Sequence, residues 1–204
     1  HIKITTNSSI SDLTINFKNI EDLEDKNLIE LDTSIGRDFP FITPQFFSNM
    51  AMIKDVKITI TNVNNFIFIR ILSGHLNFED STVELIQDTY TENTTINCLD
   101  LQRGTFLNIL ECKFDIQVNN QDFIFCNALN SQVTIFNTYV KINEKISDDK
   151  SDNNIIVKSI NSNVEVRNSH LKNYSLNGKV FKLEDSSERD FYVVSSDDIR
   201  NIII

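Results

Sequence analysis

Glycine and proline are scarce in this chain, with 4 and 2 copies in 204 residues, and tryptophan is absent. The few glycines build no phosphate-cradling loop, which argues against a nucleotide cofactor. Lysine and arginine are outnumbered 19 to 29 by aspartate and glutamate. The basic residues stand singly, so the clustered positive charge that releases counterions from a phosphate backbone is missing, and nucleic acid is not an expected partner. The formal charge of −10 fits a surface that keeps an elongated body dissolved. No apolar run reaches the roughly 18 residues that a membrane-spanning helix needs. Cys98, Cys112 and Cys126 are too few, and odd in number, for a disulfide-stapled secreted domain. They read as small hydrophobes at inward or turn positions, with a bridge between Cys98 and Cys126 left open. The chain does not start with Met and ends on Ile202, Ile203 and Ile204, as a strand cut in mid-course would, so a segment of a longer protein is expected.

What the chain does have is a recurring octad: apolar, polar, apolar, any, then Asn, Asp or Glu, a small residue, any, apolar. It fits Val164, Val166, Asn168, Ser169 and Leu171, and again Val133, Ile135, Asn137, Thr138 and Val140. It also fits Leu107, Ile109, Glu111, Cys112 and Phe114, and Leu76, Phe78, Asp80, Ser81 and Val83. Looser copies start at Leu13, Val56 and Tyr192. Each clear octad follows a second apolar segment, such as Phe66 to Leu72 or Phe123 to Leu129, and runs on into a third. Three short alternating strands per repeat are too many and too short for helical repeats, and propeller blades need four.

A coil with three strands per turn satisfies both the count and the alternation. Its inward residues stack in columns, one of Ile69, Cys126 and Val157, another of Phe78, Ile109, Ile135 and Val166. Asp80, Glu111, Asn137 and Asn168 then occupy a corner, where Asn and Asp tolerate a left-handed backbone and stacked Asn side chains can bond one another. The predicted fold is all-β: one parallel β-helix over residues 1–204, with about six or seven turns. A Phe- and Pro-rich excursion at 32–50 interrupts it, because Pro40 and Pro44 cannot sit in central strands. From about residue 50 onward the octads with their Asn corner resemble the right-handed parallel β-helix of the pectin-lyase-like superfamily. That resemblance implies an architecture shared by carbohydrate-cleaving enzymes, tailspikes, adhesin passengers and structural spacers, and it points outside the cell or to its surface.

Enzymes of that fold gather acidic and basic groups on the outside of one sheet. The outward octad positions here give no carboxylate pair in neighbouring turns, and the only catalytic constellation on offer is Arg70, Asp100 and Glu79. His1 is terminal, His75 follows Ser73 and Gly74 in a turn, and His170 sits at a corner, none in a metal or nucleophile spacing. The insertion at 143–154 is acidic but has no glycine for a calcium loop, so neither metal nor cofactor is expected. In the strands at Phe66 and Phe123 both faces are apolar. Strict alternation therefore expects Phe66, Phe68, Phe123 and Phe125 to form an outer aromatic file, covered by Phe39, Phe41, Phe46 and Phe47 of the excursion or by a partner. The function expected is a non-catalytic structural or adhesive segment of a large surface or secreted protein. It would bind protein or glycan through a sheet face, with self-association through open coil ends, and the alternative is a carbohydrate-active or carbohydrate-binding β-helix.

Overall fold

The computed structural model describes residues 2–4, 9–18, 26–32, 50–63, 66–88, 95–102, 104–119, 122–144, 154–175, 178–184, 191–194 and 202–203. The chain climbs as a right-handed parallel β-helix. The first turn consists of β1 (Ile2–Ile4), β2 (Ser9–Ser11) and β3 (Thr14–Lys18), and the second of β4 (Lys26–Asp32), β5 (Met50–Lys54) and β6 (Lys57–Thr61). The third holds β7 (Phe66–Ser73), β8 (His75–Glu79) and β9 (Thr82–Ile86), and the fourth β10 (Thr95–Leu101), β11 (Phe106–Leu110) and β12 (Lys113–Val118). The fifth holds β13 (Asp122–Leu129), β14 (Gln132–Phe136) and β15 (Tyr139–Glu144), and the sixth β16 (Ile155–Ile160), β17 (Asn163–Arg167) and β18 (His170–Asn173). Then come β19 (Lys179–Glu184), β20 (Phe191–Val194) and β21 (Ile202–Ile203). Through β20 every third strand joins the same sheet, and β21 then returns to the first beside β19, giving sheets of eight, seven and six described strands that start from β1, β2 and β3. No helix is long and apolar enough to cross a membrane among the described residues.

The octads lie where the pattern puts them, along the second sheet and round its corner into the third. Leu76, Leu107, Val133 and Val164 are in register, and so are Phe78, Ile109, Ile135 and Val166. The expected column of Ile69, Cys126 and Val157 also forms, with Leu99 between its first two members. At the corner, Asp80, Glu111, Asn137 and Asn168 all take positive φ, between 46° and 56° where Asn168 and Glu111 set the limits. An L-residue there costs roughly 1–2 kcal/mol, less for Asn and Asp, whose short polar side chains bond locally. This explains how so few glycines suffice.

The small residue after each of them is buried and has a definite task. Ser169 Oγ accepts the Thr138 amide of the turn before at 3.1 Å and donates to its own Arg167 carbonyl at 2.8 Å. Thr138 Oγ1 does the same for the Cys112 amide and the Phe136 carbonyl, and Ser81 Oγ for the Val56 amide and the Glu79 carbonyl. Cys112 imitates them, its Sγ donating to the Leu110 carbonyl at 3.2 Å. A stacked amide bond joins Asn168 Nδ2 to Asn137 Oδ1 at 3.1 Å.

Two framings need correction. The looser copies at Leu13 and Val56 are displaced by five residues, because Leu13 and Val56 hold the corner position of Ser81 and the true second octad starts at Ala51. A large apolar residue at a corner imitates the start of a strand. The copy at Tyr192 is one residue late, since Phe191 and Val193 are the partners of Val164 and Val166.

A second corner, between the first and second sheets, uses the same chemistry. Asn130 and Asn161 take positive φ as Gly74 and Gly104 do. Asn161 Nδ2 donates to Asn130 Oδ1 at 2.6 Å, and Ser162 Oγ accepts the Ser131 amide at 3.0 Å.

If the left-handed corner sets the strain, Glu111 is its worst occupant. Glu111→Gly is expected to raise stability by about 1 kcal/mol in urea denaturation, and Asn137→Ala to lower it by about as much. A destabilised Glu111→Gly protein would contradict the account.

Candidate functional site

The expected outer aromatic file does not form. Phe66, Phe68, Phe123 and Phe125 are core residues, each no more than 1% exposed. Phe125 meets Phe114 of the third sheet edge-on at 4.7 Å between ring centres, and Phe114 meets Phe78 of the second sheet at 5.6 Å. The error has a physical origin. In the first sheet two successive residues are buried in each of β7, β10, β13 and β16: Phe68 and Ile69, Cys98 and Leu99, Phe125 and Cys126, Ile156 and Val157. This break shifts the phase of alternation, so the rings upstream and the aliphatics downstream of it both face the core. With the rings inside, no cover from the excursion is required. Phe39, Phe41, Phe46 and Phe47 lie outside the described residues, as does most of the acidic insertion at 143–154.

All three thiols are buried and free. Cys98 lies opposite Phe125 and Cys126 opposite Leu99, so the two stand in different columns rather than stacked. Burial pushes the Cys126 thiol up to about 12, with the Asp100 charge adding to it. The Cys112 thiol is also pushed up to about 12 by burial, against the pull of backbone bonds at Ser81 and Leu110. Thiols held protonated in this way serve as small apolar groups, not as nucleophiles.

Arg70 and Asp100 do come together, in one outward file of the first sheet that reads Glu30, Arg70, Asp100, Asn127, Lys158 and Lys182. Arg70 Nε donates to Asp100 Oδ2 at 3.2 Å, Gln102 Nε2 donates to the same oxygen at 2.9 Å, and Asn127 Nδ2 donates to Oδ1 at 3.0 Å. Asp100 is nearly buried, and both of its oxygens are engaged. Glu79 belongs to the second sheet, in register with Lys54 and Leu110, so the three residues do not share one sheet face. This group ties successive turns together. Arg70→Met leaves the Asp100 carboxylate short of its charged donor and is expected to cost about 1–3 kcal/mol, most of it recovered in Arg70→Met with Asp100→Leu. Chemical denaturation of the two variants checks this, and an unchanged midpoint for Arg70→Met would contradict it.

One carboxylate pair was not found in the sequence because it lies in the third strand of the repeat. Glu84 and Asp115 are in register there, with Lys141 next in the file. A hydrolytic pair needs one carboxyl held in an apolar pocket. These two stand half-buried on an open sheet face.

The second sheet presents a different surface. Its outward files are Met50, His75, Phe106, Gln132 and Asn163, then Met52, Asn77, Asn108, Thr134 and Glu165, then Lys54, Glu79, Leu110, Phe136 and Arg167. Met50 and Phe136 are each 39% exposed. The amides between them are bonded along the axis: Asn108 Nδ2 reaches His75 Nε2 at 2.8 Å and Asn77 Oδ1 at 3.0 Å, and Asn77 Nδ2 reaches Met50 Sδ at 3.4 Å. The His75 ring lies 5.9 Å from that of Phe106. Burial holds the His75 imidazole below its ordinary range, against a bond to Asn77 that favours the charged form. Thioether, aromatic and amide groups on a flat, parallel face suit the apolar side and the hydroxyls of an extended ligand. The sequence carries this face in the outward positions of its octads, where its signal is weaker than that of the aromatic residues in the first strand.

Among the described residues, no three His, Cys, Asp or Glu side chains gather to hold a metal ion. Compared with protein-family models, curated proteins and solved structures, the chain has no significant match.

Proposed function

We propose that the chain is a non-catalytic β-helix segment of a large surface or secreted protein, a rigid scaffold that binds protein or glycan through the outer face of its second sheet. The observation that carries the reading is the contrast between that face and the bonded Arg70, Asp100 and Asn127 file of the first sheet. Six turns close on one continuous core, and Asp100 in the charged file of the first sheet is tied to Arg70 and Asn127 of the neighbouring turns. The second sheet keeps Met50, Phe106, Leu110 and Phe136 at the surface beside a line of amides. The extracellular setting rests on the resemblance of the octads to the pectin-lyase-like superfamily. The carbohydrate-cleaving alternative gains nothing from Arg70, Asp100 and Glu79, because both Asp100 oxygens are occupied and Glu79 lies in another sheet.

The test is a glycan array probed with the intact chain and with a variant combining Asn108→Ala and Phe136→Ser, together with a search for polysaccharide cleavage. The expected result is retention of a set of glycans, weakened at least tenfold in the variant, with no cleavage. Equal binding by the variant, or cleavage products that disappear in Asp100→Asn, would overturn the proposal. Silence on the array would remove its glycan arm.

A further inference from the structure

The bonds on the second sheet's outer face all run in one direction. Asn108 Nδ2 has two hydrogens; one goes to Asn77 Oδ1 and the other points at His75 Nε2, which can accept it only while it carries no proton. Asn77 then has its own Nδ2 free to donate to Met50 Sδ. With a neutral imidazole whose Nε2 accepts, the chain His75, Asn108, Asn77, Met50 runs in this one direction.

We propose that His75 is a proton switch that reverses the amide chain of this face. When a proton from solvent adds to Nε2, two donors confront one another, and the Asn108 amide must turn to offer Oδ1 instead. Asn77 Oδ1 then loses its donor and faces an acceptor. It turns in its own place, gives its Nδ2 to Asn108, and releases Met50. The outward pattern of N–H and C=O groups inverts from one turn of the coil to the next, and a ligand that reads those groups is gained or lost with pH. The inference rests on the geometry of the face and stands whether or not the face binds a glycan.

The groups around His75 leave the amides as its main partners. On its own strand the nearest charge is Glu79, two outward positions away. On β5 it is Lys54, at the same distance along the strand, and β11 carries no titratable side chain. Across the second corner Asp32 is engaged with Ser73 Oγ at 3.3 Å. No charge among these contributes to holding His75 below its ordinary value; desolvation does. The proton therefore arrives at a lower pH than at an ordinary imidazole.

The experiment is an NMR titration of the ¹⁵N-labelled chain from pH 7.5 to 5.0, following the His75 ring nitrogens and the side-chain amides of Asn77 and Asn108. Asn130 and Asn161, bonded to each other at the second corner, serve as the internal reference. The expected result is one midpoint shared by His75, Asn108 and Asn77, no movement at Asn130 or Asn161, and loss of both amide responses in His75→Gln. Movement of Asn108 alone, movement of neither amide, or amide shifts that persist in His75→Gln would each overturn the switch. A His75→Gln chain that failed to fold would be replaced by Asn108→Leu, where the Asn77 response to His75 is expected to vanish.

Discussion

Everything in this molecule depends on keeping a parallel hydrogen-bond ladder intact while the backbone turns a sharp corner at each sheet junction. A coil that lost its bonds at the corners would leave buried amides unsatisfied, each at a cost of about 1–3 kcal/mol. The chain meets the requirement with two adjacent residues. The first takes a left-handed backbone and keeps the corner in step, as when the Glu111 amide bonds the Phe136 carbonyl at 3.0 Å and that of Asn137 bonds Arg167 at 3.1 Å. The second sends a small side chain inward, where its hydroxyl accepts the amide that the turn has left over.

The core follows from that constraint. With successive turns in register, residues of one position stack, and columns such as Phe78, Ile109, Ile135 and Val166 fill the bore. Rings from all three sheets meet at Phe78, Phe114 and Phe125, and the thiols of Cys98 and Cys126 fill the space that larger groups leave. The outer faces are then free to differ. The first carries a ladder of bonded charges, whereas the second carries amides and exposed apolar groups.

The octad was legible because its period is set by local chemistry: an alternating strand, an Asn or Asp, and a small residue. Its corner, its columns and its three strands per turn all followed. The second corner uses the same pair, Asn130 with Ser131 and Asn161 with Ser162, 31 residues apart in both members, and could have been read in the same way. What resisted reading was phase. A strand that buries two neighbours, as at Phe125 and Cys126, looks in sequence like one with two apolar faces, and strict alternation then puts the aromatic rings on the wrong side. Asp100 beside Arg70 is legible from the outward positions of successive first-sheet strands. That its two oxygens are already occupied depends on Gln102 and Asn127, and no spacing rule announces those bonds.

The most direct measurement is native-state amide exchange in Ser169→Ala. The Thr138 amide has the Ser169 hydroxyl as its acceptor, while the Tyr139 amide next to it bonds the Cys112 carbonyl. The account predicts that the substitution speeds exchange at Thr138 by about tenfold, the equivalent of one hydrogen bond of roughly 1.4 kcal/mol, and leaves Tyr139 protected. An unchanged rate at Thr138 would contradict the claim that the small corner side chains hold the turns together.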